Sequence, residues 1–114
     1  MMKLVTAIIP PHLLSEVREA LLDVGVAGST ISHVLGHGRD ERPSACGGDP
    51  GGARRLVPQV KLELLVADAL LDRTLATILE ATRSGSYDEG KIFLYEPAQA
   101  VRIRTREMGD AAID

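Results

Sequence analysis

The sequence has no tryptophan, one phenylalanine and two tyrosines among its 114 residues. With so few rings it lacks the stacking platform that grips single-stranded nucleic acid. A net charge of −3 and a pI near 5.6 give the chain a field that repels phosphate backbones. Both deficits argue against a nucleic-acid partner. The single cysteine, Cys46, can close no disulfide within the chain, which suits a reducing compartment. Long apolar runs are missing as well. The N-terminal KLVTAII, residues 3–9, is too short for a signal peptide's core or a membrane span. A cytoplasmic, soluble protein with no direct membrane insertion is expected. Clustered His and Cys that could hold a metal are also lacking: His33 and His37, four apart, would stand roughly 13 Å from each other along an extended strand.

What is present is rhythm. With 45% hydrophobic residues, the chain makes one domain over 1–114 with a modest core, and a core of that size commonly gains stability by association. KLVTAII reads as a buried strand stopped by Pro10 and Pro11. Leu14, Val17, Leu21 and Val24 then recur at helical spacing, and Gly25 closes that helix. STISHVLG (29–36) marks a second strand, with Ile31 and Val34 placed near the core. VPQVKLELLVAD alternates as a third strand, and Asp68 stands where a helix N-cap belongs. Leu71, Leu75, Ile78 and Thr82 form the buried stripe of the second helix, which Gly85 ends. KIFLYE and AVRIRT supply one or two last strands. The order is that of an α+β, ferredoxin-like βαβ-βαβ sandwich, two helices covering one face of a sheet whose other face is most simply buried against copies of itself.

Two segments stand out from that frame. Residues 37–56 hold a run of glycines and prolines without periodicity and read as a long mobile loop, bracketed by His37-Gly38-Arg39-Asp40 and Arg54-Arg55. Structureless loops beyond about 12–15 residues inside a compact domain are usually functional or disordered. The second is SGSYDEGK (84–91), where Gly85 and Gly90 free the backbone to aim N–H groups at an anion and Lys91 adds a charge. Alternation along AVRIRT places Arg102 and Arg104 on one strand face roughly 6.6 Å apart, a separation that suits a polyphosphate. An ordinary solvated strand face carries the same R-x-R pattern. The turn is not a Walker A loop, because Ile92 and not Ser or Thr follows Lys91. Cys46 reads as a plain surface thiol, Ser44 as a plain loop serine and Glu89 as a solvated turn residue.

These residues resemble the PII nitrogen-regulatory signalling proteins along nearly the whole chain. The matching stretches are AIIPPHLLSEVREALLDVGVAGSTISHVLGHGR, VPQVKLELLV, GKIF, and VRIRTRE with the terminal DAAI. The resemblance implies a homotrimer with a nucleotide cleft between neighbouring subunits. Residues 37–56 are similar to the family's T-loop, which docks onto a target protein, a transporter or an enzyme. Residues 83–90 are similar to its phosphate-cradling turn, placing Asp88 and Glu89 in the cradle, and 105–114 to the loop that closes the cleft. Gly90, Lys91, Arg102 and Arg104 match its phosphate contacts, Gly38 and Arg39 the base of the T-loop, and Thr30 and Leu65 positions lining the adenine. The implied ligand is an adenine nucleotide (ADP, AMP or ATP), with magnesium left open.

The departures from the family point to its effectors. The family's glutamine after the Gly-Arg step, which helps hold magnesium and 2-oxoglutarate, is Asp40 here, and a lysine common at the far base of the loop is Gln59. One cation lost and one anion gained disfavours a dicarboxylate, since a like charge at about 4 Å can cost a few kcal/mol. The effector-site candidates are therefore Arg39, Asp40 and Gln59. Some PII-like branches serve inorganic-carbon metabolism, and resemblance to them implies a small anion such as bicarbonate as second ligand. The tyrosine that some members uridylylate is Gly52, so that modification is not expected. Asp88 replaces the first glycine of Gly-Asp-Gly-Lys, and its carboxylate penalises the most charged nucleotide most, so ADP or AMP is expected to compete well with ATP. A signalling role without catalysis is the leading reading. The alternatives are a nitrogen-regulatory sensor of ATP, ADP and 2-oxoglutarate, and a slow nucleotide hydrolase with Asp40 as its base.

Overall fold

The computed structural model describes residues 1–38, 55–83 and 90–113. Strand β1 (Met2–Ile9) carries β-branched residues and ends at Pro10, whose extended backbone leads into a 3-10 turn, Pro11–Leu13. Helix α1 (Leu14–Asp23) buries Val17 and Leu21. It stops at Gly25, which has φ of +90°. There the Gly25 N–H donates to the Leu22 carbonyl (3.0 Å) and the Val26 N–H to that of Leu21 (2.9 Å), while Val26 itself is buried. This is the left-handed glycine stop expected from the sequence, closed by two of the helix's last carbonyls.

Strands β2 (Thr30–Gly38) and β3 (Arg55–Ala67) pair antiparallel from Thr30↔Glu63 to Gly38↔Arg55. The ladder therefore runs further than the alternation predicted: residues 37, 38, 55 and 56 of the expected loop are paired strand, and residues 39–54 lie outside the described residues. Helix α2 (Asp68–Ala81) follows, then β4 (Lys91–Tyr95), and a second 3-10 turn at Gly109–Ala112. The four strands form one antiparallel sheet in the order β2-β3-β1-β4, with both helices on one face: a ferredoxin-like α+β fold.

Register decides what each side chain faces. Val5, Ala7 and Ile9 of β1 and Val60, Leu62, Leu64 and Val66 of β3 point at the helices and, with Val17, Leu21 and Ile78, make the core. Such side chains contribute roughly 1.5–3 kcal/mol each on full burial. Ile31, opposite Leu62, joins them. Val34 does not. Three residues further along a strand it stands on the other face, opposite Gln59, so the expectation that both approach the core fails on the period of two.

Helix α2 also departs from its expected details. Asp68 is its first helical residue, not its cap; Ala67 holds the cap position and makes no side-chain bond. The Asp68 carboxylate instead accepts from Lys3 Nζ at 2.9 Å. That hydrogen bond raises the ammonium's pKa above its ordinary value. The buried stripe includes Thr74, fully enclosed, whose hydroxyl donates to the Leu70 carbonyl at 2.7 Å. A buried threonine whose hydroxyl bonds back along the helix is easily mistaken for a polar-face residue. The helix ends at Ala81, and Gly85 lies outside the described residues.

Candidate functional site

The sheet face turned away from the helices carries most of the expected site residues that the structure describes. Alternation in β4 sends Ile92 and Leu94 towards α2 and leaves Lys91, Phe93 and Tyr95 on the open face. Lys91 lies opposite Ile8 and is exposed. An added Cβ at Gly90, just before it, would stand 3.4 Å from the Ile8 carbonyl oxygen, an ordinary van der Waals contact. On the same face β2 and β3 present Thr30 opposite Glu63, Val34 opposite Gln59, and Gly38 opposite Arg55, while Leu65 lies opposite Leu4 of β1. Arg39, Asp40, Asp88 and Glu89 lie outside the described residues.

These positions are spread along the sheet. Gly38, Gln59, Gly90 and Lys91 belong to the end of the sheet where β1 finishes, Leu65 lies towards the end where it begins, and Thr30, in the row of Glu63 and Thr6, lies between them. Gln59 and Leu65 are six residues apart on β3, roughly 20 Å along the strand. Arg102 and Arg104 go with Leu65. They follow Tyr95, which pairs with Leu4, and the segment they belong to is tied to the start of the chain by the Met1 amino group, 3.4 Å from Asp110. Tyr95, from which the chain leads on to the arginines, is about 13 Å from Lys91 along β4, and Arg102 is bonded to Ala112, close to the Asp110 that meets Met1.

The arginines do not sit on a strand. Val101 makes an isolated bridge to Met108, and between them the chain turns back on itself. The Arg102 N–H donates to the Glu107 carbonyl (2.8 Å), and the Arg106 N–H to the Arg102 carbonyl (2.7 Å). Arg106 completes the turn with φ of +65°, a conformation that costs a side chain with Cβ about 1–2 kcal/mol. The V-R-I-R alternation that suggested a strand is too short to distinguish strand from turn. Ile103, 93% exposed, has no apolar surface beneath it to hold it in a sheet. The separation expected from strand geometry therefore does not apply. Arg104 is exposed and Arg102 half-buried.

Gln59 is the other informative side chain. It is buried although it belongs to the open face, because its amide folds over Gly36, where a Cβ would collide with the Gln59 Oε1. An uncharged side chain tucked over a glycine offers no ammonium to a dicarboxylate. A cleft of about 380 Å³ opens between α2 and β4; most of its lining is apolar, including Leu75, Ile78, Leu79, Ile92 and Leu94, and Gly90 and Lys91 stand at its wall. Among the described residues no group of three His, Cys, Asp or Glu is placed to hold a metal, and no helix is long and apolar enough to cross a membrane. Sequence reasoning missed Glu107, which lies beside Arg102. Five residues apart, the two have no relation until the turn at 102–106 closes.

Comparison with known proteins matches this chain over residues 2–107 to the family described as nitrogen regulatory protein P-II. It is 41% identical over 115 aligned positions to nitrogen regulatory protein P-II of Klebsiella oxytoca and to nitrogen regulatory protein P-II 1 of Escherichia coli, covering 98% of this chain and all of each relative. Among solved structures it is similar to Arabidopsis thaliana PII bound to citrate, with a TM-score of 0.78 and 31% identity over 98% of this chain and 89% of that one.

Proposed function

Because the chain belongs to the P-II family of nitrogen regulatory proteins, we propose that it is a trimeric signal-transduction protein, not an enzyme, that binds adenine nucleotides between subunits and acts on a target protein through residues 37–56. The placement of Lys91 and the arginine turn carries this reading. Lys91 pairs opposite Ile8 while the arginine segment is tied back to Met1, so one diphosphate is better placed to bridge Lys91 of one copy and Arg102 and Arg104 of the next. Gly38, Gln59 and Gly90 then fall on the first copy's side of the cleft, and Thr30 and Leu65 on the second's. In a closed ring every subunit presents both halves, so the sites complete one another.

Complementation between variants tests the arrangement. Lys91→Ala alone and the Arg102→Ala, Arg104→Ala pair alone each bind ADP poorly. Refolded together in equal amounts they regain about one intact site in four, because some junctions then combine an unaltered lysine with unaltered arginines. Titration calorimetry of the mixture reads this directly. If the mixture binds no better than the average of its parts, the half-sites do not meet across subunits.

The second effector follows from charge. With Asp40 and Gln59 at the base of the loop, a singly charged anion such as bicarbonate fits better than 2-oxoglutarate, and by analogy with PII-like branches that serve inorganic-carbon metabolism the proposed role is in carbon metabolism. The carboxylate of Asp88 beside the phosphates lets ADP and AMP compete with ATP. Titrations with the three nucleotides, each with bicarbonate or 2-oxoglutarate, should show heats for bicarbonate, none for 2-oxoglutarate, and ATP not the tightest of the three. One observation favours a second reading: the relatives matched at 41% identity are named as nitrogen regulators. Tight 2-oxoglutarate binding with ATP would establish that reading in place of the first.

A further inference from the structure

Arg102 is held from several sides by its own chain. Its Nη2 donates to the Ala112 carbonyl at 3.4 Å. Its Nε is shielded from solvent and has no hydrogen-bond partner, and Glu107 Oε1 stands 3.7 Å away, within ion-pair range but beyond hydrogen-bond length. The same Oε1 accepts the Thr105 hydroxyl at 2.7 Å, and the Glu107 N–H donates to Thr105 Oγ1 at 3.3 Å, so the carboxylate is anchored. Backbone bonds across the turn keep Arg102 and Glu107 opposite each other. The carboxylate thus stands where an anion would meet Nε, without completing the bond.

Resting on the nucleotide reading above, we propose that Glu107 is an internal competitor for the nucleotide's phosphate. It keeps Arg102 turned against the C-terminal 3-10 turn, and an incoming phosphate has to displace it. A buried donor without a partner is unfavourable, and a phosphate oxygen at Nε supplies the acceptor that the carboxylate does not. With Glu107 half open to water its hold is weak, as a displaceable contact has to be. Its charge also repels the approaching phosphate. It therefore lowers affinity for phosphorylated ligands and leaves the base and ribose untouched.

The test is calorimetric titration of the full chain and of Glu107→Gln with ADP and with adenosine. Glutamine keeps the size of the side chain and an oxygen for the Thr105 hydroxyl, and removes only the charge. ADP binding should tighten about three- to tenfold in the variant, with adenosine binding unchanged. If the unaltered protein binds ADP and the variant binds it equally or less well, the competitor role is overturned and Glu107 positions Arg102 instead. Equal tightening for adenosine also overturns it, since the effect then has nothing to do with phosphate. If neither protein binds ADP, the nucleotide reading fails, and the competitor role with it.

Discussion

Alanine at both Arg102 and Arg104 should weaken ADP binding by about a hundredfold or more. A hydrogen bond to a charged group contributes roughly 1.5–3 kcal/mol, so losing two such partners removes about 3–6 kcal/mol. At 1.4 kcal/mol per tenfold, that corresponds to about a hundred- to ten-thousandfold in Kd. The single variants separate binding from folding. Arg104 is exposed and has no hydrogen-bond or ion-pair partner among the described residues, so Arg104→Ala should leave the unfolding midpoint where it is and still cost about tenfold or more in affinity. Arg102→Ala also removes the contacts to Ala112 and Glu107, and its unfolding curve has to be compared alongside. Undiminished ADP binding by the double variant would end the phosphate assignment, whatever the fold does.

Leu62→Ala should produce the largest loss of stability. Leu62 is completely buried on β3, next to the middle of the sheet, with Ala7 of β1 on one side and Ile31 of β2 on the other. Truncation at such a position removes the transfer free energy of the lost atoms and leaves a cavity that strands on both sides keep from collapsing. Buried leucine-to-alanine changes cost about 2–5 kcal/mol, and the enclosed setting puts this one near 3–5. Against a total of about 5–15 kcal/mol, that is a large fraction. For a chain of this size the unfolding midpoint should fall by roughly 10–20 °C. Leu35→Ala is the control: at 64% exposure it should stay within about 0.5 kcal/mol. Both must be measured at one protein concentration, because association adds to apparent stability. A loss below about 1 kcal/mol for Leu62→Ala would mean that the helix-facing register of β3 is wrong.

Local patterns explain how much was legible. Alternation through Val60, Leu62 and Leu64 spans enough residues to identify a strand and its buried face, and Gly25 ended α1 as a left-handed glycine should. The stretches that carry the family resemblance are likewise contiguous. Errors arose where a pattern was short or a role depended on a distant partner. Asp68 looked like a cap and is instead a partner for Lys3, 65 residues earlier in the chain. Thr74, not named in the expected stripe, is core, since its hydroxyl is satisfied within its own helix.

Sequence by itself determined the order of elements, the strand and helix periods, the helix stop at Gly25 and the identity of the cations, because each is a property of neighbours along the chain. Only the tertiary structure decided that Lys91 pairs opposite Ile8 while the arginine segment is tied back to Met1, that Arg102 begins a tight turn facing Glu107, and that Gln59 folds over Gly36. Each of these depends on which residue of one strand lies opposite which residue of another. That register is set by the summed packing of the whole core, and no short stretch of sequence contains it.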